Sequence, residues 1–122
     1  MAYLPSLPGD AVVLLDVFRA YPDTARPLLD YHQALLRGPS PLTVAERELI
    51  AAYVSRLNAC RYCHGVHTAT AQAFGIPEGT LGALLDDVGA APVAERMKPL
   101  LRYVGKLTLP PAKIAPVTRT RY

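Results

Sequence analysis

The stretch TVAERELIAAYVSRLNACRYCHGVH, Thr43 to His67, decides how this chain is read. Thr43–Val44–Ala45–Glu46 has the form of a capping box: a threonine hydroxyl and a glutamate three residues on each accept the other's orphan N–H. Leu49, Ile50, Tyr53, Val54 and Leu57 follow at helical spacing. Asn58–Ala59 interrupts the pattern, and a second helix opens near Cys60 and runs to Gly75. So short a link implies an antiparallel helix hairpin. It carries both cysteines and two of the three histidines of the chain.

Each residue turns a helix by about 100°, so Cys63 lies about 60° from Cys60, and His67 sits one turn beyond Cys63 on the same stripe. Cys60 falls in the first turn, where unpaired N–H groups and the helix dipole favour a thiolate. Counting from the link, Glu48 lies roughly 15 Å back along one helix and His67 roughly 12 Å along the other. The two therefore share a height, and Glu48 flanks the buried Leu49 side. A carboxylate there holds the imidazole in one tautomer and helps it accept a thiol proton. Glu48, Cys60, Cys63 and His67 are the candidate site residues, with His64 and Tyr62 as accessory candidates: His64 at the edge of the same face, Tyr62 as packing or an aromatic lid. His32 has no local partner and reads as structural.

A dithiol with a carboxylate and an imidazole in reach exchanges electrons with peroxides or disulfides. Other chemistries share the motif. Cys60–Arg61–Tyr62–Cys63–His64 is formally a haem-attachment signature, but that attachment requires export. Cys60, Cys63 and His67, with His64 or Glu48, form a formal zinc set, but structural zinc sites draw ligand pairs from two separated segments and no second pair is present. A non-catalytic helical module that senses redox state or binds a partner through the dithiol is a further reading.

Outward from the hairpin, the pattern stays helical. Asp10 is positioned to cap a short helix to about Ala20, with Tyr21–Pro22 as an interruption. A second helix is expected over about Thr24–Arg37, with Leu28, Tyr31 and Leu35 on one face and Gly38 just past its end. Pro77 suits the first turn of a helix to about Val88, and a last helix is expected over Val93–Lys106, with Pro99 kinking or restarting it. No useful period-2 alternation occurs, so the expected fold is all-α, a small helical bundle with the CxxC at the start of the hairpin's second helix. Residues 1–107 read as one domain and residues 108–122 as an extended tail.

With 51% hydrophobic and 19% charged residues in 122, the composition is that of a small globular domain. No apolar run approaches the roughly 20 residues that span a bilayer, and the opening residues lack the pattern of a signal peptide. The expectation is a cytoplasmic protein with no membrane contact, in a compartment that keeps its thiols reduced. Residues 1–90 carry six arginines against nine acidic groups, and residues 91–122 carry seven basic groups against Glu95. Only Tyr103 and Tyr122 stand among the basic ones, too few for a stacking surface, so a nucleic-acid partner is not expected.

These residues resemble a known family, the alkylhydroperoxidase D-like proteins of the carboxymuconolactone decarboxylase superfamily. Their signature is a glutamate, eleven residues, a CxxC, three residues and a histidine, and Glu48, Cys60, Cys63 and His67 match it position by position. Leu36–Arg37–Gly38–Pro39–Ser40–Pro41–Leu42, Glu46–Arg47–Glu48–Leu49–Ile50–Ala51 and Ala71–Gln72–Ala73–Phe74–Gly75 also look like the peroxidase-related branch. The resemblance implies a helical bundle that reduces a hydroperoxide while the cysteines close into a disulfide, which a protein or lipoyl dithiol reopens. It implies no bound cofactor, a glutamate–histidine proton relay and a homo-oligomer. Of the two sulfurs it favours Cys63 as the one that attacks peroxide, whereas the helix-terminus argument favours Cys60. Some members carry a second histidine between the cysteines, where this chain has Arg61–Tyr62. Similar chains of that branch also continue with further helices, so this one is expected to be shorter. The decarboxylases of the superfamily lack the CxxC, which argues against their activity here.

Overall fold

The computed structural model describes residues 7, 9, 10 and 13–109. Among these the regular elements are six helices and no strand, the all-α class that the patterning implies. None is long and apolar enough to cross a membrane. The chain divides into two compact units, Met1–Pro39 and Ser40–Tyr122.

The first unit holds α1 (Leu14–Ala20) and α2 (Pro22–Arg37). Asp10 lies in a turn and does not start the helix; the acidic group at the helix start is Asp16, whose Oδ2 accepts the Val13 N–H at 3.1 Å. Tyr21 is the break between the helices, and Pro22 takes the first position of α2, where its missing N–H costs nothing. Leu28, Tyr31 and Leu35 are exposed. His32 Nδ1–H donates to the Leu28 carbonyl at 2.8 Å. Gly38 ends α2 in extended conformation (φ −65°), not the left-handed one that usually selects glycine. Its reason is steric: a Cβ there would run into the Ala34 carbonyl oxygen.

The second unit is built on α3 (Val44–Leu57), which packs against α4 (Arg61–Ala73), α5 (Thr80–Asp86) and α6 (Met97–Thr108). The capping box at Thr43 is complete: Glu46 N–H donates to Thr43 Oγ1 at 3.1 Å and Thr43 N–H to Glu46 Oε2 at 2.9 Å. Leu49, Ala52 and Tyr53 of α3 meet Leu81 and Leu84 of α5, Ala91, and Met97 and Leu101 of α6 in one core. Each fully buried leucine contributes about 2 kcal/mol of transfer free energy. Gly105 brings α6 close to Tyr53, whose Oη would lie 3.1 Å from an added Cβ.

Both later helices begin further along than the sequence pattern suggests. Pro77 lies in a turn, and left-handed Gly79 (φ 83°) delays α5 to Thr80. Pro99 cannot return an N–H to Glu95, so α6 starts at Met97, which leaves the proline in the first turn where no donor is required. At the far end Thr108 belongs to α6, its hydroxyl donating to the Val104 carbonyl at 2.8 Å. The rest of the expected tail, from 110 on, lies outside the described residues. Among the basic groups near the end, Arg96 pairs with Glu46 and Lys98 with Glu95.

Candidate active site

The hairpin link is tighter than a simple break. Cys60 N–H donates to the Ser55 carbonyl at 2.9 Å and Ala59 N–H to the Arg56 carbonyl at 3.0 Å, the paired bonds of a Schellman motif. The residue in the left-handed position is Ala59 (φ 55°), where glycine is the usual choice. Cys60 is thus the last residue of the cap of α3 and, one step on, the N-cap of α4. Its sulfur accepts the Cys63 N–H at 3.4 Å, taking the place of the oxygen that normally caps a helix.

Both cysteines are free and half-buried. The two sulfurs are chemically unequal. The Cys63 thiol, then the Cys63 N–H, donate to Cys60 and, with a smaller contribution from the Tyr62 N–H, outweigh its slight desolvation, lowering its pKa below the ordinary thiol value. Cys63 is pushed up, first because its S–H is the donor to Cys60, then by burial and by the charge on Cys60. These donors favour negative charge on the Cys60 sulfur over the Cys63 sulfur.

His67 and Glu48 meet across the hairpin at the height the counting implies: Glu48 Oε2 lies 2.7 Å from His67 Nδ1. The carboxylate side chain is 2% exposed and the imidazole 25%. A carboxylate only accepts, so Nδ1 carries the proton, and in the neutral ring Nε2 keeps its lone pair. Glu48 owes its burial to its place beside Leu49 on the inward face of α3. His67 lies one turn beyond Cys63 on α4. Among the described residues no hydrogen bond joins either sulfur to His67, so a proton passing between them needs a water or a rotation of the thiol. Nor do three or more His, Cys, Asp or Glu side chains there gather in a metal-holding arrangement.

The two accessory candidates part company. Tyr62 is 47% exposed on the outer side of α4 and packs into no core. His64 turns back to α3, its Nδ1–H donating to the Ala52 carbonyl at 3.3 Å, and its ring lines a recess between α3, α4 and the start of α5. That recess was not apparent from the sequence. Thr68, one turn on, donates to the His64 carbonyl at 2.6 Å. The C-terminus of α4 closes with a second Schellman motif, Ile76 N–H to Ala71 and Gly75 N–H to Gln72, with Gly75 left-handed as expected for its type.

Comparison with curated proteins yields no match. A family model does match: that of the carboxymuconolactone decarboxylase family, over residues 22–104. The match covers most of the chain, including α2 and the whole hairpin with its four candidate site residues. The chain belongs to the carboxymuconolactone decarboxylase family.

Proposed function

We propose that this protein is a thiol-dependent peroxidase of the alkylhydroperoxidase D type, reducing hydroperoxides through Cys60 and Cys63. The observation that carries the reading is the placement of the dithiol: the Cys60 sulfur is the N-cap of α4 and accepts the Cys63 N–H at 3.4 Å, which favours charge on it. Thiolate character is what nucleophilic attack on peroxide requires. Membership of the family, and the buried Glu48 hydrogen-bonded to His67 on the same stripe as Cys63, support it further.

In the proposed cycle the Cys60 thiolate attacks the terminal oxygen of R–O–O–H. The S–O bond forms as O–O breaks, and the departing alkoxide takes from solvent the proton that the Cys60 thiol had released there, leaving as R–OH. Cys63 then gives its proton towards His67 Nε2, directly after rotation or through a water, while Glu48 keeps Nδ1 protonated and the ring in place. The Cys63 thiolate attacks the Cys60 sulfenic acid, S–S forms, and hydroxide leaves with the proton from His67 as water. The sum is one hydroperoxide and two thiols giving one alcohol, one water and one disulfide. An external dithiol, free or on a lipoyl-bearing protein, restores the thiols by exchange. No bound cofactor takes part. This order of attack departs from the family expectation that Cys63 strikes first, and follows the local chemistry instead. As with the family, the working form is proposed to be a homo-oligomer in a reducing, cytoplasmic compartment.

The test is steady-state consumption of cumene hydroperoxide driven by dithiothreitol, in wild type, Cys60→Ser and Cys63→Ser. Turnover in wild type that is lost in both variants supports the proposal. Absence of turnover in fully reduced wild type overturns it, and a pair that merely oxidises once would instead act as a redox sensor.

A further inference from the structure

Within the second unit α6 runs parallel to α3, and this carries its end towards the dithiol. Near the start of both helices Arg96 pairs with Glu46, and further on Gly105 lies against the Tyr53 ring. At about 1.5 Å per residue, α3 continues for about 6 Å beyond Tyr53 and α6 for about 5 Å beyond Gly105. The end of α6 therefore stands within about a turn of the level of the Asn58–Ala59 link, after which Cys60 opens α4. Both α4 and α6 pack on α3, and packed helices lie about 8–10 Å apart. The start of α4 and the end of α6 are thus about 20 Å apart or less, inside the footprint of one protein interface.

This end of the unit is positive. Arg56 stands in the last turn of α3, Arg61 in the first turn of α4 and Lys106 in the last turn of α6, and all three are exposed. No acidic residue occurs between Glu48 and Glu78, nor anywhere after Glu95. The acids of the unit lie lower down. Glu46 and Glu95 sit at the starts of α3 and α6, Glu48 is buried against His67, and Glu78 follows the far end of α4. Asp87 is level with Arg102, since a Cβ on Gly89 would meet both at 3.2 Å, and Asp86 precedes it at the end of α5.

Arg56 and Lys106 complement the dipoles at the ends of their helices, but Arg61 opposes that of α4, whose first turn holds no acid. Local helix chemistry does not account for a cation there. Apolar side chains share the surface: Tyr62 is exposed between the cysteines, and Leu107 and Leu109 at the end of α6. Tyrosine and arginine are enriched at protein interfaces, and exposed apolar groups rimmed by charge mark them.

We infer that this end of the bundle docks the electron donor, and that the donor is a protein carrying acidic side chains around its own dithiol. The inference rests on the proposed redox cycle, of which it concerns only the reopening of the disulfide. In that exchange a donor thiolate attacks one sulfur of the Cys60–Cys63 disulfide and expels the other as a thiolate. The donor's second thiolate then attacks the mixed disulfide. The donor leaves as a disulfide, two electrons poorer, and its two protons end on Cys60 and Cys63. Arg56, Arg61 and Lys106 take no part in these steps. They raise the rate of encounter, by about 10- to 1,000-fold where opposite charges face each other at low salt.

The experiment uses two synthetic peptides with the same CxxC dithiol, one flanked by four glutamates and the other by four lysines. The protein disulfide is formed with diamide, so no peroxide is involved. Its reduction by each peptide is followed in about 10 mM and about 1 M salt, between which the Debye length falls from about 30 Å to about 3 Å. The ratio of the acidic to the basic rate is measured for wild type, Arg61→Glu and Arg56→Gln/Lys106→Gln. Comparing the ratio between proteins cancels the peptides' own difference in reactivity. The substituted side chains are exposed, and circular dichroism confirms that each variant folds. In low salt the ratio is expected to fall at least tenfold in Arg61→Glu and at least threefold in Arg56→Gln/Lys106→Gln, and both differences to shrink below twofold in 1 M salt. A ratio that neither variant changes overturns the proposal and leaves the face to a second copy, to nucleic acid or to solvent. A change in Arg61→Glu alone, or one that persists in 1 M salt, also overturns it, because the effect then belongs to the residue beside Cys60 and not to a charged surface. A pair that diamide cannot close overturns this proposal and the peroxidase reading together. Exchange that follows charge, in a protein that consumes no hydroperoxide, supports the docking surface and removes only the peroxidase.

Discussion

Removing the two halves of the Glu48–His67 pair should not cost the same. The bond is short at 2.7 Å, and the two side chains differ sharply in exposure, 2% for Glu48 against 25% for His67. His67→Met takes the imidazole from a carboxylate that stays out of water. Charge-assisted hydrogen bonds contribute about 1.5–3 kcal/mol, and breaking a buried pair from one side costs about 3–5. The quarter-exposed partner brings some solvent to the site, so about 3 kcal/mol is expected for this variant. Glu48→Met fills the same space with an apolar chain and leaves an imidazole that can turn to water, for about 1–1.5 kcal/mol. With both replaced no charge is left behind, and the double variant should lose only about 2 kcal/mol. The coupling is then roughly 2 kcal/mol, well above the about 0.5 kcal/mol within which independent sites add. Urea unfolding of the four proteins reads it directly: at a slope of about 2 kcal/mol/M, His67→Met should lower the midpoint by about 1.5 M. Two single losses that simply add, or a larger loss for Glu48→Met, would refute the placement of a buried carboxylate against this ring.

Three further outcomes follow from the geometry. Because Cys60 is lowered by the Cys63 donors and Cys63 is raised, alkylation by iodoacetamide should begin at Cys60 below the ordinary thiol range as pH rises, with Cys63 reacting only at higher pH; peptide mapping of partially labelled protein checks the order. Ala59→Gly should raise stability by about 0.5–1 kcal/mol, the left-handed penalty of about 1–2 kcal/mol being partly offset by the greater freedom of unfolded glycine; a lower urea midpoint would argue against the Schellman geometry. Thr80 is 1% exposed, and among the described residues its hydroxyl has no hydrogen-bond partner. Thr80→Val should therefore raise the melting temperature by several degrees for about 1 kcal/mol, and a lower value would show that the hydroxyl is satisfied.

How much of this was legible in the sequence follows from which interactions are local. The capping box at Thr43 and the stripe Cys60, Cys63, His67 depend on residues within two turns of each other, and so could be read from spacing. The Glu48–His67 juxtaposition crosses between helices, yet it too was readable because a two-residue link leaves little freedom in the relative height of its helices. What spacing could not show was the way the chain turns. Ala59 adopts a conformation its type disfavours, and only the bonds to Ser55 and Arg56 that close α3 explain why. Pro77 and Val93 looked like helix starts by pattern; the left-handed Gly79 and the donor missing at Pro99 moved both starts downstream. The recess was out of reach for a different reason. It needs α5 to stand against α4, and the bend of His64 towards the Ala52 carbonyl is a tertiary contact.

The peroxidase account is tested most directly by a single turnover without any reductant. Fully reduced protein is mixed with one equivalent of cumene hydroperoxide, and the intact mass, free thiols and organic product are measured together. The account predicts one equivalent of alcohol, the loss of two hydrogens per chain and a Cys60–Cys63 disulfide that dithiothreitol reverses. Peroxide left unconsumed, with both thiols still open to alkylation, would contradict it.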